Sequence, residues 1–312
     1  MSIEKSGGVV KGAGRAARAV RPSAVVDTRV IYCGDNLDQL KKLPDGCVDL
    51  IYIDPPFNSN RNYEVFWGET KEKRAFEDRH ASTQAYIEFM RPRCVELHRV
   101  LKKTGSFYYH CDWHASHYVK VMLDQIFGEN SFINEIIWQR TSAHNDPRQY
   151  GRIHDTLLFY SVGVGWTWNQ QYDPIDDAFF GAHDFEKDAQ GGSYRKRDLT
   201  APSHKTSSGQ YEWKGKRPPK GRMWSYTEEK MRELEKQGRI AYTKTGMPRL
   251  KIYVEDLKGV PLQSVWSRPD LWLNSASKER LGYPTQKPLA LLERVIKTSS
   301  NENDIVLDAF CG

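Results

Sequence analysis

The tetrapeptide Asp54-Pro55-Pro56-Phe57 follows directly on the apolar run Val48-Asp49-Leu50-Ile51-Tyr52-Ile53. Neither proline has a backbone N–H and both fix φ, so the chain must leave a strand here in a stiff turn with free carbonyls. A carboxylate, a bare carbonyl and an aromatic face are then expected to converge. That set suits a difficult nucleophile, an amine conjugated to a heteroaromatic ring such as adenine or cytosine, whose lone pair is delocalised. Asp54 Oδ and the Pro55 carbonyl can each accept one amine hydrogen and draw the nitrogen toward tetrahedral geometry, while Phe57 stacks on the ring. The plainer alternative is a turn after a strand, because Asp and Pro are ordinary turn residues. By itself the tetrapeptide leaves both readings open.

Two further clusters carry chemically capable side chains. His110-Cys111-Asp112-Trp113-His114, with His117, crowds metal-ligand types together. It lacks the second clustered pair that zinc sites show, so no metal is expected. From about Tyr194 to Lys258, basic residues outnumber acidic ones roughly two to one and alternate with Trp and Tyr. Arg195, Arg197, Lys214, Lys216, Arg217 and Arg222, with Trp213 and Trp224, form a candidate nucleic-acid surface, in which cations fix phosphates and aromatic faces meet bases. A solvated basic loop is the competing reading.

The elements that must position these groups read as an α/β chain. Arg29–Tyr32 reads as a short strand, residues 35–43 as a helix ended by Pro44, and residues 48–53 as a second strand. Because the second is nearly continuously apolar, it is expected in the middle of a parallel sheet covered on both faces. Its carboxyl end is where open α/β sheets place ligands. Helical spacing runs over 83–101 and is expected to close at Lys102-Lys103-Thr104-Gly105. Strand 106–110, helix 114–127 and strands 132–139 and 156–161 follow, and helix 288–299 and strand 304–307 come late. Between Gly163 and Val265 periodicity weakens and Gly, Pro, Lys and Trp rise, which marks an inserted module. Residues 1–27 read as a disordered basic tail without a signal-peptide core.

Bulk properties narrow the class. A chain of 312 residues holds one large domain with an insert. Hydrophobic content of 39% and charged content of 28% are those of a soluble globular protein, and no apolar run approaches the ~20 residues of a membrane helix. Five scattered cysteines suggest free thiols in a reducing cytoplasm. The net charge of +6 favours nucleic acid only weakly.

Taken in order, Asp54-Pro55-Pro56-Phe57, the basic insert, Tyr283-Pro284-Thr285-Gln286-Lys287-Pro288 and Asp308-Ala309-Phe310-Cys311-Gly312 resemble the β-group of amino DNA methyltransferases. This is a circularly permuted family that includes type III modification subunits and orphan bacterial enzymes. The resemblance covers residues 29–312. It implies a Rossmann-like S-adenosylmethionine-dependent methyltransferase sheet, permuted, with a catalytic half over 28–162, a target-recognition region over 163–265 and a cofactor-binding half beginning at 266–312. Asp54, Pro55, Pro56 and Phe57 take the catalytic place. Thr285, Lys287, Asp308, Phe310 and Gly312 take cofactor contacts, as do Asp112 and Asp35, although Asp35 reads equally as the cap of the helix it precedes. Lys287 suits a carboxylate of the cofactor, with a surface lysine as its plain alternative.

The resemblance further implies methylation of adenine at N6 in double-stranded DNA, because Asp stands first in the tetrapeptide where N4-cytosine relatives more often have Ser. N4-cytosine methylation is the alternative, and a non-catalytic DNA-binding remnant the alternative of another class. Protein and RNA methylators typically carry Asn in place of Asp54. A bacterial cytoplasmic setting, a restriction subunit as partner and a homodimer are family expectations. Ala309 replaces the usual proline. Since the family continues past this point with further glycines, a helix and a ribose-binding strand, the chain is expected to be C-terminally truncated within its cofactor site.

Overall fold

The computed structural model describes residues 26–56, 61–67, 72–78, 82–203, 207–273, 277–282 and 285–311. The basic tail expected over 1–27 lies outside them except for its last two residues, and Phe57, Tyr283, Pro284 and Gly312 also lie outside. Two units form: one from residues up to Asn169 together with Ser264 onward, the other from Gln170–Gln263.

In chain order the first unit contains α1 (Asn36–Leu40), β1 (Val48–Ile53), β2 (Arg61–Trp67), β3 (Glu72–Asp78), α2 (Thr83–Val100), β4 (Leu101–Cys111), α3 (Ser116–Phe127), β5 (Phe132–Gln139) and β6 (His154–Ser161). The second contains β7 (Tyr172–Asp173), α4 (Asp177–Gly181), β8 (Glu186–Lys187), β9 (Ser193–Asp198), β10 (Thr200–Pro202), β11 (Arg222–Trp224), α5 (Glu228–Lys236), β12 (Ile240–Tyr242), β13 (Pro248–Tyr253) and β14 (Val260–Pro261). The chain then returns to the first unit with β15 (Val265–Trp266), α6 (Leu289–Ser299) and β16 (Val306–Leu307).

The main sheet has six strands in the order β15-β5-β6-β4-β1-β16. β1 runs parallel to both of its neighbours, whereas β6 runs antiparallel to β4 and β5. β1 is thus paired on both edges but sits next to the end of the sheet, not in its middle. Alternation along the strands feeds two cores. Ile51, Ile53, Phe107 and Tyr109 face Tyr86, Met90, Cys94 and Leu97 of α2, while Leu50, Tyr52 and Tyr108 face Leu291 and Val295 of α6. With both faces covered, the first unit is an α/β fold of the Rossmann-like kind that the motif order implied. Each fully buried aliphatic side chain contributes about 1.5–3 kcal/mol.

Local chemistry fixes the ends of these elements. Ser82 caps α2 by accepting the Ala85 N–H at 3.1 Å. At the other end, Gly46 and Cys47 N–H donate to the carbonyls of Arg99 and Val100 at 3.0 and 2.8 Å. Arg99 reaches back to the Leu40 and Leu43 carbonyls at 2.9 Å, tying off α1. Asp49 accepts from Lys102 of β4 and from the Ile305 N–H, which joins three adjacent strands.

Other readings change as well. Arg29–Tyr32 forms no strand; Ile31 is 86% exposed and no neighbouring strand takes its backbone groups among the described residues. Gly105 is no helix stop, because β4 starts at Leu101 immediately after α2. A Cβ at Gly105 would lie 3.0 Å from the Asp49 carbonyl oxygen of β1 and closer still to the Leu101 side chain, so the glycine lets β4 approach β1 closely. The β2–β3 hairpin carried no signal that was read from the sequence. The second unit is also regular, with a four-stranded sheet β12-β13-β9-β8 and a helix capped by Thr227. Its strands are short and basic because only one face is buried, around Leu199, Trp213, Trp224, Met231, Ile240 and Leu250. No described helix is long and apolar enough to cross a membrane.

Candidate active site

β16, β1 and β4 are parallel neighbours, so their carboxyl ends present Asp308, Asp54 and Asp112 along one edge of the sheet. Pro55, buried, and Pro56, half-buried, follow Asp54 and end the strand. The Asp54 side chain is 17% exposed and its Oδ2 pairs with Lys287 Nζ, which also donates to the Thr285 carbonyl at 3.1 Å. The other oxygen, Oδ1, is buried and accepts no hydrogen bond from any described residue. Such an orphan acceptor is costly and needs a reason.

Asp308 belongs to the same cluster. Burial pushes its carboxyl up to about 6, Asp54 adds to the rise, and the Phe310 N–H and Lys287 oppose it. The Phe310 N–H donates to Asp308 Oδ1 at 2.9 Å, and the Phe310 side chain packs on the core beneath α2. Asn36 Nδ2 donates to the Ala309 carbonyl at 2.8 Å and so anchors this loop. Arg93 Nε in turn donates to Asn36 Oδ1 at 2.8 Å.

Asp35 caps α1 by accepting the Leu37 N–H at 2.8 Å, and its Oδ2 pairs with Arg93 at 2.7 Å. Its carboxylate therefore works as cap and brace, beside Asn36, which makes the loop contact. Asp112 accepts the His114 N–H at 3.0 Å and bonds His114 Nδ1 at 2.8 Å, closing the turn after β4. Trp113 stacks on the same imidazole.

Beneath Asp54 runs a polar row, buried except for Arg140 at its far end, that sequence reasoning missed. The Tyr52 hydroxyl meets His110 Nδ1 at 2.9 Å, His110 Nε2 lies 3.4 Å from Asp155 Oδ2, and Arg140 Nε lies 3.1 Å from Asp155 Oδ1. His110 is fully buried, and its Nδ1 stands 3.3 Å from Asp54 Oδ1. Burial, reinforced by the charges of Asp54, Asp308 and Asp155, pushes the Tyr52 phenol well above its ordinary value. A usable signal existed: Tyr52 and His110 sit on strand faces otherwise given to apolar side chains.

In the second unit the candidate contacts separate by burial. Trp213 and Trp224 are core residues, a correction to their expected role at bases. Their indole N–H groups donate inward, to the Tyr242 hydroxyl at 3.2 Å and the Tyr211 carbonyl at 3.0 Å. In a Lys-rich segment they are the large apolar volume available to fill a core. Arg222 braces β10 against β11 through Thr200 Oγ1 at 2.5 Å and the Thr200 carbonyl at 2.7 Å. Lys214 pairs with Glu235, and Lys216 is half-buried. Arg195 lies 5.8 Å over the Phe179 ring. Arg197 donates to the Tyr226 hydroxyl at 3.2 Å and is exposed, as is Arg217, whose side chain is 80% accessible.

Comparison with known proteins agrees with this geometry. The DNA methylase family model for N6/N4 methyltransferases matches residues 48–312. The chain is 32% identical over 299 residues to the type II methyltransferase M.EcaI of Enterobacter cloacae, covering 94% of this chain and 64% of that protein. It is 29% identical to the type III restriction-modification enzyme StyLTI Mod subunit of Salmonella typhimurium, over 89% of this chain and 47% of that protein. It is 26% identical to the DNA adenine methyltransferase YhdJ of Escherichia coli K12, over 92% of this chain and 72% of that protein. The chain thus spans less than two thirds of the first two relatives. The family match over most of the chain, on a sheet whose carboxyl edge carries Asp54 beside Lys287 and Asp308, makes this chain a member of the N6/N4 DNA methylase family.

Proposed function

We propose that this protein transfers a methyl group from S-adenosylmethionine to the exocyclic amine of a base in double-stranded DNA, and that the base is adenine, methylated at N6. The observation that carries the reading is Asp54 Oδ1, a buried carboxylate oxygen at the carboxyl end of β1 that has no hydrogen-bond donor among the described residues. An amine hydrogen satisfies it. With the Pro55 carbonyl taking the second hydrogen, the nitrogen's lone pair leaves the ring and points outward for attack. Adenine rests on Asp at the first position of the tetrapeptide, and the adenine methyltransferase relative is in keeping with it.

The donor set fits the cofactor. Lys287 supplies a cation for an amino-acid carboxylate, and Asp308 an anion next to it. Thr285 and the loop from Asp308 to Phe310, held by Asn36, line the same edge. Bound there, S-adenosylmethionine supplies an electrophilic methyl group, already activated as a sulfonium. The protein's tasks are then to orient the amine in line and keep water away. Arg195, Arg197, Lys214, Lys216 and Arg217 are assigned to DNA phosphates, with Arg222 as a brace. The type III Mod relative supports a restriction-modification setting.

Incubation with methyl-labelled S-adenosylmethionine and double-stranded DNA, followed by digestion to nucleosides, tests the reading. Label in N6-methyladenine is expected. Label only in N4-methylcytosine overturns the choice of base, and DNA binding without cofactor binding or transfer makes the chain a DNA-binding remnant.

A further inference from the structure

Away from Asp54, a guanidinium on α2 is withdrawn from water with each of its nitrogens engaged. The Arg93 side chain is 8% exposed and lies 3.7 Å over the Phe89 ring. Its Nε donates to Asn36 Oδ1 at 2.8 Å, one terminal nitrogen to the Phe89 carbonyl at 2.8 Å, and the other to Asp35 Oδ2 at 2.7 Å. Burying such a group is costly unless its donors are met. Here two of the partners are adjacent residues at the start of α1, and one of them reaches the late loop.

Donor and acceptor chemistry settles how Asn36 is turned. A guanidinium only donates, so the atom facing Arg93 Nε is the amide oxygen. Nδ2 is thereby directed at the loop, where it donates to the Ala309 carbonyl at 2.8 Å. In a planar trans peptide the carbonyl and the following N–H point in opposite directions. Holding the Ala309 oxygen therefore aims the Phe310 N–H the other way, onto Asp308 Oδ1 at 2.9 Å. The same N–H opposes the rise of the Asp308 carboxyl. Ala309 has no ring to fix its φ, so the residue itself leaves the turn free. Packing of the Ala309 and Phe310 side chains on the core places the loop, and the Asn36 bond sets its peptide plane.

We propose that Arg93 and Asn36 are positioning residues for cofactor binding: Arg93 fixes the orientation of the Asn36 amide, and that amide fixes the Ala309–Phe310 peptide that orients Asp308. The role rests on the reading of the loop from Asp308 as part of the cofactor site. Neither side chain need touch the cofactor. They remove loop settings that the cofactor would otherwise have to select against, and so raise the fraction of the protein that is ready to bind.

Calorimetric titration of the full chain with S-adenosylmethionine, in the absence of DNA, tests this relay. Asn36→Ala is expected to weaken binding by about tenfold. Asn36→Asp keeps an acceptor for Arg93 but turns an oxygen onto the Ala309 carbonyl, and is expected to weaken it at least as much. Arg93→Lys replaces a planar fork by a point donor, and should weaken binding in wild type but not further in Asn36→Ala. Ala309→Pro, at a residue without positive φ, narrows the turn from within. In that background the cost of Asn36→Ala is expected to shrink to within about threefold. DNA affinity is expected to stay within about threefold throughout.

A wild type that binds the cofactor no more tightly than Asn36→Ala and Asn36→Asp overturns the relay alone. A cost of Asn36→Ala that is the same with alanine or proline at 309 also overturns it, as does an equal loss of cofactor and DNA affinity, the mark of a general loss of structure. If Asn36→Ala fails to fold, Asn36→Asp decides in its place. A wild type that binds DNA but no S-adenosylmethionine overturns the reading of the loop as a cofactor site, and the relay falls with it.

Discussion

At the carboxyl edge of the main sheet, acidic and basic side chains are largely withdrawn from water: Asp54 and Lys287 are 17% and 15% exposed, and His110 is fully buried. In the unit Gln170–Gln263 the arrangement is reversed. Its cations lie outside, many paired with acids as Lys214 is with Glu235 and Lys196 with Glu186, while its tryptophans lie inside. Charges at the sheet edge are therefore costly and kept there by the site they build. Charges on the second unit are cheap, and their individual energies are small. Composition suggested chemistry in both places, yet only position relative to strand ends separates a reacting group from a solvated one.

The comparison sharpens first through Trp224. If it is core, Trp224→Ala removes a side chain that is 1% exposed and lowers the stability of its unit by about 3–5 kcal/mol. Denaturant unfolding followed by far-UV circular dichroism checks this. A change in DNA affinity without a change in stability would put the indole back at the bases.

Asp308 gives the next effect. Its carboxyl is pushed up from 3.8 to about 6 in the folded protein, so the folded state holds its proton more tightly than the unfolded chain. The favourable contribution is complete below about pH 4 and is lost as pH rises through about 6. Asp308→Asn removes that loss and should stabilise the protein above pH 7 by up to about 3 kcal/mol. Thermal unfolding across pH 4–8 reads it, and a parallel curve for both proteins would remove Asp308 from the buried cluster.

Arg217 gives the smallest. Its exposed guanidinium is expected to contribute one phosphate contact, so Arg217→Ala should weaken DNA binding only several-fold and reduce the salt slope by about one unit. An unchanged slope would make it a solvated charge and nothing more.

The sequence revealed the backbone of the site better than its linkages. The apolar run 48–53 followed by two prolines announced a strand ending in a stiff turn, and the helical spacing of Tyr86, Met90 and Leu97 announced the element that covers it. These signals are local and periodic. Asn36 holding Ala309 is a contact across 273 residues, and the pairing of Lys287 with Asp54 spans 233. Neither has a local signature, and the late motif alone could be matched to a cofactor, not to Asp54. Trp213 and Trp224 were misread for a related reason. An aromatic among lysines looks like a nucleic-acid surface until the short strands β9, β11, β12 and β13 are seen to need a core.

The account depends most on Asp54 as the acceptor that prepares the amine. Single-turnover methyl transfer at saturating cofactor and double-stranded DNA, in wild type and in Asp54→Ala, tests it most directly. The account predicts a loss of about 1,000-fold or more, with DNA affinity unchanged within about twofold. Transfer retained by Asp54→Ala at a rate close to wild type would contradict it.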